Sequence, residues 1–132
     1  MAYNEIGAVL PEGHSPVQAI DADRQLDLDS DTRSALETPA TLSVEQLGTG
    51  GYVIDSLACA AWAIQQPESL ESVLVSLVNR DDDVDTTCAI AGGLLGMMHG
   101  VDAIPNRWRE RLEYAGRMTA AATELARLRW ST

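Results

Sequence analysis

The sequence predicts an all-α fold, a helical bundle, on two observations: every strongly periodic stretch after residue 46 has apolar residues at three- and four-residue spacing, and no useful run alternates as a half-buried strand does. At 132 residues the chain holds one domain at most, and 45% hydrophobic residues are ample for a core. Residues 1–46 read as an acidic, irregular lead segment broken by Pro11, Pro16 and Pro39. Helical turns are expected only around Asp31–Glu37 and Ser43–Leu47. Residues 47–132 read as the helical part.

After the Gly48–Gly51 punctuation, Val53, Leu57, Ala60, Ala61 and Ile64 mark a core helix. Pro67 is expected to open the next helix, with Leu70, Val73, Leu74, Leu77 and Val78 on one stripe, although VLVSLV alone also suits a buried strand. Thr86 to Gly100 is rich in small residues (Ala89, Gly92, Gly93, Gly96). Glycine is a poor helix former, so tight packing must compensate, with a neighbouring backbone close by; this is the expected central helix, ended by Gly100. Pro105 restarts the chain, and Trp108, Leu112, Ala115, Met118, Ala122, Leu125 and Leu128 mark one or two further helices.

Charge excludes several function classes. Twenty acids face nine arginines and no lysine, a formal net charge of −11, which repels nucleic acid and anionic lipid and removes lysine chemistry. The Arg-only, Asp-rich balance fits a salt-adapted or a GC-rich microbe. With no basic n-region and no run near the length of a membrane span, a cytoplasmic protein is expected. Cys59 and Cys88 lie in helix-like stretches and are expected as buried thiols, not a disulfide.

The chemistry-bearing segment is Asn79-Arg80-Asp81-Asp82-Asp83-Val84-Asp85-Thr86-Thr87. Four carboxylates within five residues repel one another unless a cation or water neutralises them, and hard oxygen donors suit Mg²⁺, Mn²⁺ or Ca²⁺. The plainer reading makes Asp85 an N-cap and Asp81–Asp83 a solvated face complementing the helix dipole. An EF-hand from Asp81 fails, because Thr86 and Gly92 occupy its glycine and glutamate positions. Asp83-Val84-Asp85-Thr86-Thr87 also matches the DxDxT nucleophile motif of haloacid-dehalogenase-like phosphatases, but these enzymes need a later lysine.

In order, GTGGYVIDSLACAAWAI, VNRDDDVDTT, AIAGGLLG and IPNRW resemble the C-terminal part of the ADP-ribosylglycohydrolase family, dinitrogenase reductase-activating glycohydrolases among them, over about Leu47 to Leu112. The resemblance implies the C-terminal half of such a domain, and a hydrolase that removes ADP-ribose from a modified side chain or small molecule. It implies two Mg²⁺ or Mn²⁺ ions, with Asp83, Asp85 and Thr86 as metal ligands. It also implies a weaker ADP-ribose contact at Gly50, Gly51 and Tyr52, although a helix-start packing role suits Tyr52 as well. No catalytic residue is identified. The family's remaining ligands come from a Thr-Asp-Asp motif in an N-terminal half, and no such motif occurs here. The isolated chain is therefore expected to be inactive, to need a complementary N-terminal half or to self-associate through an exposed apolar face. The alternative is a non-catalytic remnant or partner-binding partial domain. His99 reads as a helix C-terminal residue, His14 as solvated, and Trp62 and Trp108 as anchors.

Overall fold

A computed structural model of the chain describes residues 2–23, 27–48, 50, 52–80 and 83–130. These form eight α-helices and three short 3-10 turns, with no strand among the described residues. The helices are α1 (Ala2–Val9), α2 (Pro16–Asp23), α3 (Ser30–Leu36), α4 (Val53–Ile64), α5 (Leu70–Val78), α6 (Val84–His99), α7 (Asn106–Arg109) and α8 (Ala115–Trp130). VLVSLV thus lies in a helix and not in a strand.

The lead segment departs from its reading as largely irregular. It carries three helices whose inner faces join the common core through Ala2, Ile6, Leu10, Ala19, Ile20 and Leu36. Each is only seven or eight residues long, so each shows two or three core positions, too few for periodicity to stand out. The acids hide a cap as well: Asp29 accepts from the backbone N–H groups of Asp31 and Thr32 at 3.1 and 3.0 Å and starts α3. The turn expected near Ser43–Leu47 is present as a 3-10 turn, Val44–Gln46.

α6 is the central helix. It lies against α4, α5 and α1, while α3 covers α4 and α2 covers α1. α4 contributes Cys59 to Ile64, six consecutive buried residues, and α6 contributes Ala91, Leu94 and Leu95. α5 begins at Leu70 and not at Pro67, because the Ser69 hydroxyl accepts from Ser72 N–H at 3.2 Å and fixes the start there. Gly100, with φ of 79°, ends α6 as expected.

The glycines of α6 admit side chains, where a close backbone was expected. A Cβ at Gly93 would collide with the Tyr3 hydroxyl, which donates to the Ile90 carbonyl at 3.1 Å, and one at Gly92 would touch Leu74. Trp62 is a core anchor whose indole N–H donates to the Leu42 carbonyl at 2.9 Å, and the Gln65 and Gln66 amides hold the carbonyls of Thr38 and Ala40. Both cysteines are free, Cys59 buried and Cys88 half-buried.

The last helix differs from the rest. Tyr114 precedes α8 at φ of 65°, a left-handed conformation that costs a non-glycine residue about 1 kcal/mol. Every described side chain of α8 from Arg117 to Leu128 is exposed. The apolar residues expected to form a core stripe here, Met118, Leu125 and Leu128, face outward.

Candidate functional site

The acid loop feeds directly into α6. Asp83 is the residue that caps the helix start in place of Asp85: its carbonyl accepts from Thr87 N–H at 3.3 Å, and its carboxyl makes no capping bond. A carboxyl freed from capping is available to other partners. The Asp85 carboxyl is held below the usual carboxylate range, first by a hydrogen bond with the Asp83 side chain, then by the backbone N–H groups of Thr86 and of Asp85 itself. Asp85 and Thr86 are exposed and Asp83 half-buried, so all three oxygens are open to a ligand from solution. Asp81, Asp82 and Gly51 lie outside the described residues.

Behind the loop, two hydroxyls in the first turns of neighbouring helices are buried without a hydrogen-bond partner among the described residues: Ser56 Oγ in α4 and Thr87 Oγ1 in α6. Arg80, three residues before Asp83, donates from its guanidinium to the Val44 carbonyl and ties the loop to the turn before Gly48. Neither feature was legible in the sequence, since both depend on how α4, α6 and the 44–48 turn meet.

The glycine segment forms a second group. Gly48 and Gly50 lie against the Asp55 carboxylate, and a Cβ at Gly48 would meet Asp55 at 2.8 Å. The Cys59 thiol reaches the Gly48 carbonyl at 3.3 Å, and burial, with a smaller opposing effect from Arg80, pushes that thiol up to about 11. Tyr52 stands at the start of α4, 60% exposed. It therefore does not play the packing role open to it in sequence. Asp55 was missed there; its signal is an acid in the first turn of the helix that the glycines precede. None of the described hydrogen bonds joins Asp83, Asp85 or Thr86 to Gly50 or Tyr52. His99 ends α6 as expected, and the exposed His14 lies 3.9 Å from Glu12.

The donor set fits a hard divalent cation in kind and falls short in number. Two carboxylates and a hydroxyl suit Mg²⁺ or Mn²⁺, whereas a complete all-protein site needs more donors than these three. Among the described residues no group of three or more His, Cys, Asp or Glu side chains stands ready to hold a metal. No helix of the described residues is long and apolar enough to cross a membrane.

Comparison with known proteins gives the chain its relatives. The chain is 32% identical over 83 residues to an ADP-ribosylarginine hydrolase Tri1 of Pseudomonas putida (strain GB-1), covering 63% of this chain and 22% of that protein. An ADP-ribosylarginine hydrolase Tri1 of Serratia proteamaculans (strain 568) is 30% identical over 81 residues, 61% of this chain and 22% of its own. An ADP-ribosyl-[dinitrogen reductase] glycohydrolase of Rhodospirillum rubrum is 34% identical over 65 residues, 49% of this chain and 22% of its own. The matched stretch thus spans about a fifth of each curated relative. No solved structure matches. The sequence profile of the family described as ADP-ribosylglycohydrolase matches residues 2–132, including the lead helices that the motif-based resemblance left out, and the chain belongs to that family.

Proposed function

We propose that this chain supplies one wall of an ADP-ribosyl hydrolase site, in which Asp83, Asp85 and Thr86 hold Mg²⁺ or Mn²⁺ and further donors come from outside these 132 residues. The observation that carries the reading is the placement of Asp83, Asp85 and Thr86 together at the start of the central helix, with Asp85 and Thr86 exposed and the Asp83 carboxyl making no capping bond. Two such ions, when bound, act as Lewis acids and as a template for ribose hydroxyls and an attacking water. The chain's own part is to fix the donors. The Asp83 carbonyl bond to Thr87 and the Arg80 bond to Val44 hold the loop at both ends, and burial of α6 among α4, α5 and α1 keeps Thr86 from shifting.

Gly50 and Tyr52 are assigned to ADP-ribose, supported by the exposed Tyr52 ring; Gly51 shares the assignment by sequence position. The substrate is an ADP-ribosylated side chain or small molecule, and the two free thiols accord with a reducing, cytoplasmic setting. With three donors only, ion affinity is weak. Hydrolysis needs the ions fixed relative to the ribose, so the chain alone is inactive and a complementary chain with a Thr-Asp-Asp motif restores release of ADP-ribose.

Titration calorimetry of the full chain with Mn²⁺ tests the site. Asp83→Ala and Asp85→Ala each abolish the binding heat, and Asp81→Ala leaves most of it. Equal losses for all three point instead to a diffuse acidic surface. ADP-ribose release by the chain alone at roughly 1 per second or faster shows the site to be complete and the reading wrong.

A further inference from the structure

The connection from α3 to α4 is held by its carbonyls. The Gln65, Gln66 and Trp62 side chains donate to the carbonyls of Thr38, Ala40 and Leu42 at 3.2, 3.2 and 2.9 Å, and the Cys59 thiol reaches that of Gly48 at 3.3 Å. All four donors belong to α4 or to the two residues after it, so they bind the connection to that helix alone. The Val44 carbonyl, between Leu42 and Gly48, is held from elsewhere. Arg80, just past the end of α5, donates to it, and Leu47 N–H donates to the same oxygen at 3.3 Å. Both lone pairs of that oxygen are thereby used.

Arg80 is the only arginine between Arg33 and Arg107, and it is half-buried. Its backbone N–H donates to the Leu77 carbonyl at 3.2 Å, which fixes it to the end of α5, three residues before Asp83. Its charge also acts on Glu45 and on the Cys59 thiol, so the guanidinium stands among the groups that surround the 44–48 turn. That turn delivers Leu47 to the core and Gly48 to the Asp55 carboxylate. Among the described residues, the bond from Arg80 is the one hydrogen bond between the root of the acid loop and this connection. The donors of α4 keep the connection on α4 wherever the loop lies; Arg80 makes the two positions depend on each other.

We propose that Arg80 is a positioning residue that couples the two ligand-binding parts of the hydrolase site: a cation settling on Asp83 and Asp85 is felt, through Arg80 and the Val44 carbonyl, at Gly48, Gly50 and Tyr52. The inference rests on the hydrolase reading of both parts and adds their dependence on one another. The ion-loaded chain receives ADP-ribose better than the ion-free chain does, and by linkage ADP-ribose tightens the hold on the ion by the same factor.

Backbone amide NMR of the full chain titrated with Mg²⁺ tests it. In the wild type the amides of Leu47, Gly48 and Tyr52 shift together with those of Asp85 and Thr86, at one midpoint. In Arg80→Ala, and in the shorter, uncharged Arg80→Gln, the Thr86 amide still shifts, at about tenfold higher Mg²⁺, while Leu47, Gly48 and Tyr52 stay in place and the core amides of Leu94 and Leu95 keep their wild-type positions. A wild type in which Mg²⁺ shifts no amide overturns the hydrolase reading and the coupling with it. A wild type in which Thr86 moves and Leu47 and Gly48 do not, or a variant in which all three still move together, overturns the coupling and leaves the hydrolase reading standing.

Discussion

α4 and α8 carry the same periodic signal and meet opposite fates. Both repeat apolar residues every three or four positions, yet α4 is buried through six consecutive residues and α8 is exposed along its described length. The difference lies in the rest of each circumference. From Cys59 to Ile64, α4 has no charged residue and is walled by α3 and α6, whereas α8 interleaves Arg117, Glu124 and Arg127 with its stripe. A stripe tells that a helix has an inner face; apolar residues all round tell that it is enclosed.

The largest effect expected from this contrast is in the core. Leu94→Ala, at a fully buried position in α6, lowers stability by about 3 kcal/mol, while Leu128→Ala changes the stability of the monomer by less than about 0.5 kcal/mol, both read from urea denaturation. Similar losses at the two sites erase the distinction between the helices. Next in size is a pH effect specific to the enclosed helix. Below about pH 9 the Cys59 thiol keeps its proton whether the chain is folded or not. Between that and about 11 only the folded state keeps it, so unfolding releases a proton and stability falls as pH rises, by about 2–3 kcal/mol across the window. Burial raises Tyr3 and Cys88 in the same direction. Urea midpoints followed across this range decline less steeply in Cys59→Ala.

Smaller effects separate the glycines of α6. Gly93→Ala displaces the Tyr3 hydroxyl and costs about 1 kcal/mol, a loss largely relieved by adding Tyr3→Phe, whereas Gly96→Ala meets nothing within 4 Å and gains about 0.5–1 kcal/mol. Smallest is Thr87→Val: the buried hydroxyl has no described partner, so removing it in divalent-free buffer raises stability slightly, by up to about 1 kcal/mol, read from the urea midpoint.

These differences also mark what sequence can carry. α4, α5, α6 and α8 were legible because nine or more residues repeat a period, and the stop at Gly100 because glycine takes a positive φ cheaply. α1 and α2 were not, since each is only eight residues long, while α3 had shown itself as a turn around Asp31–Glu37. Asp83, Asp85 and Thr86 were legible as a motif, and the structure adds that Asp83, in place of Asp85, stands at the cap of α6. Asp55 and Arg80 went unread because their partners, Gly48 and Val44, are met only once the 44–48 turn folds back on the helices.

The Tyr3 bond to Ile90 spans 87 residues, and it orders events during synthesis. α1 leaves the ribosome well before its seat, the groove beside Gly93, has been made. At about 5–20 residues per second, Ile6 and Leu10 wait some 4–17 s with their apolar faces uncovered. The nascent chain thus offers a chaperone a short apolar handle that disappears only when α6 has emerged.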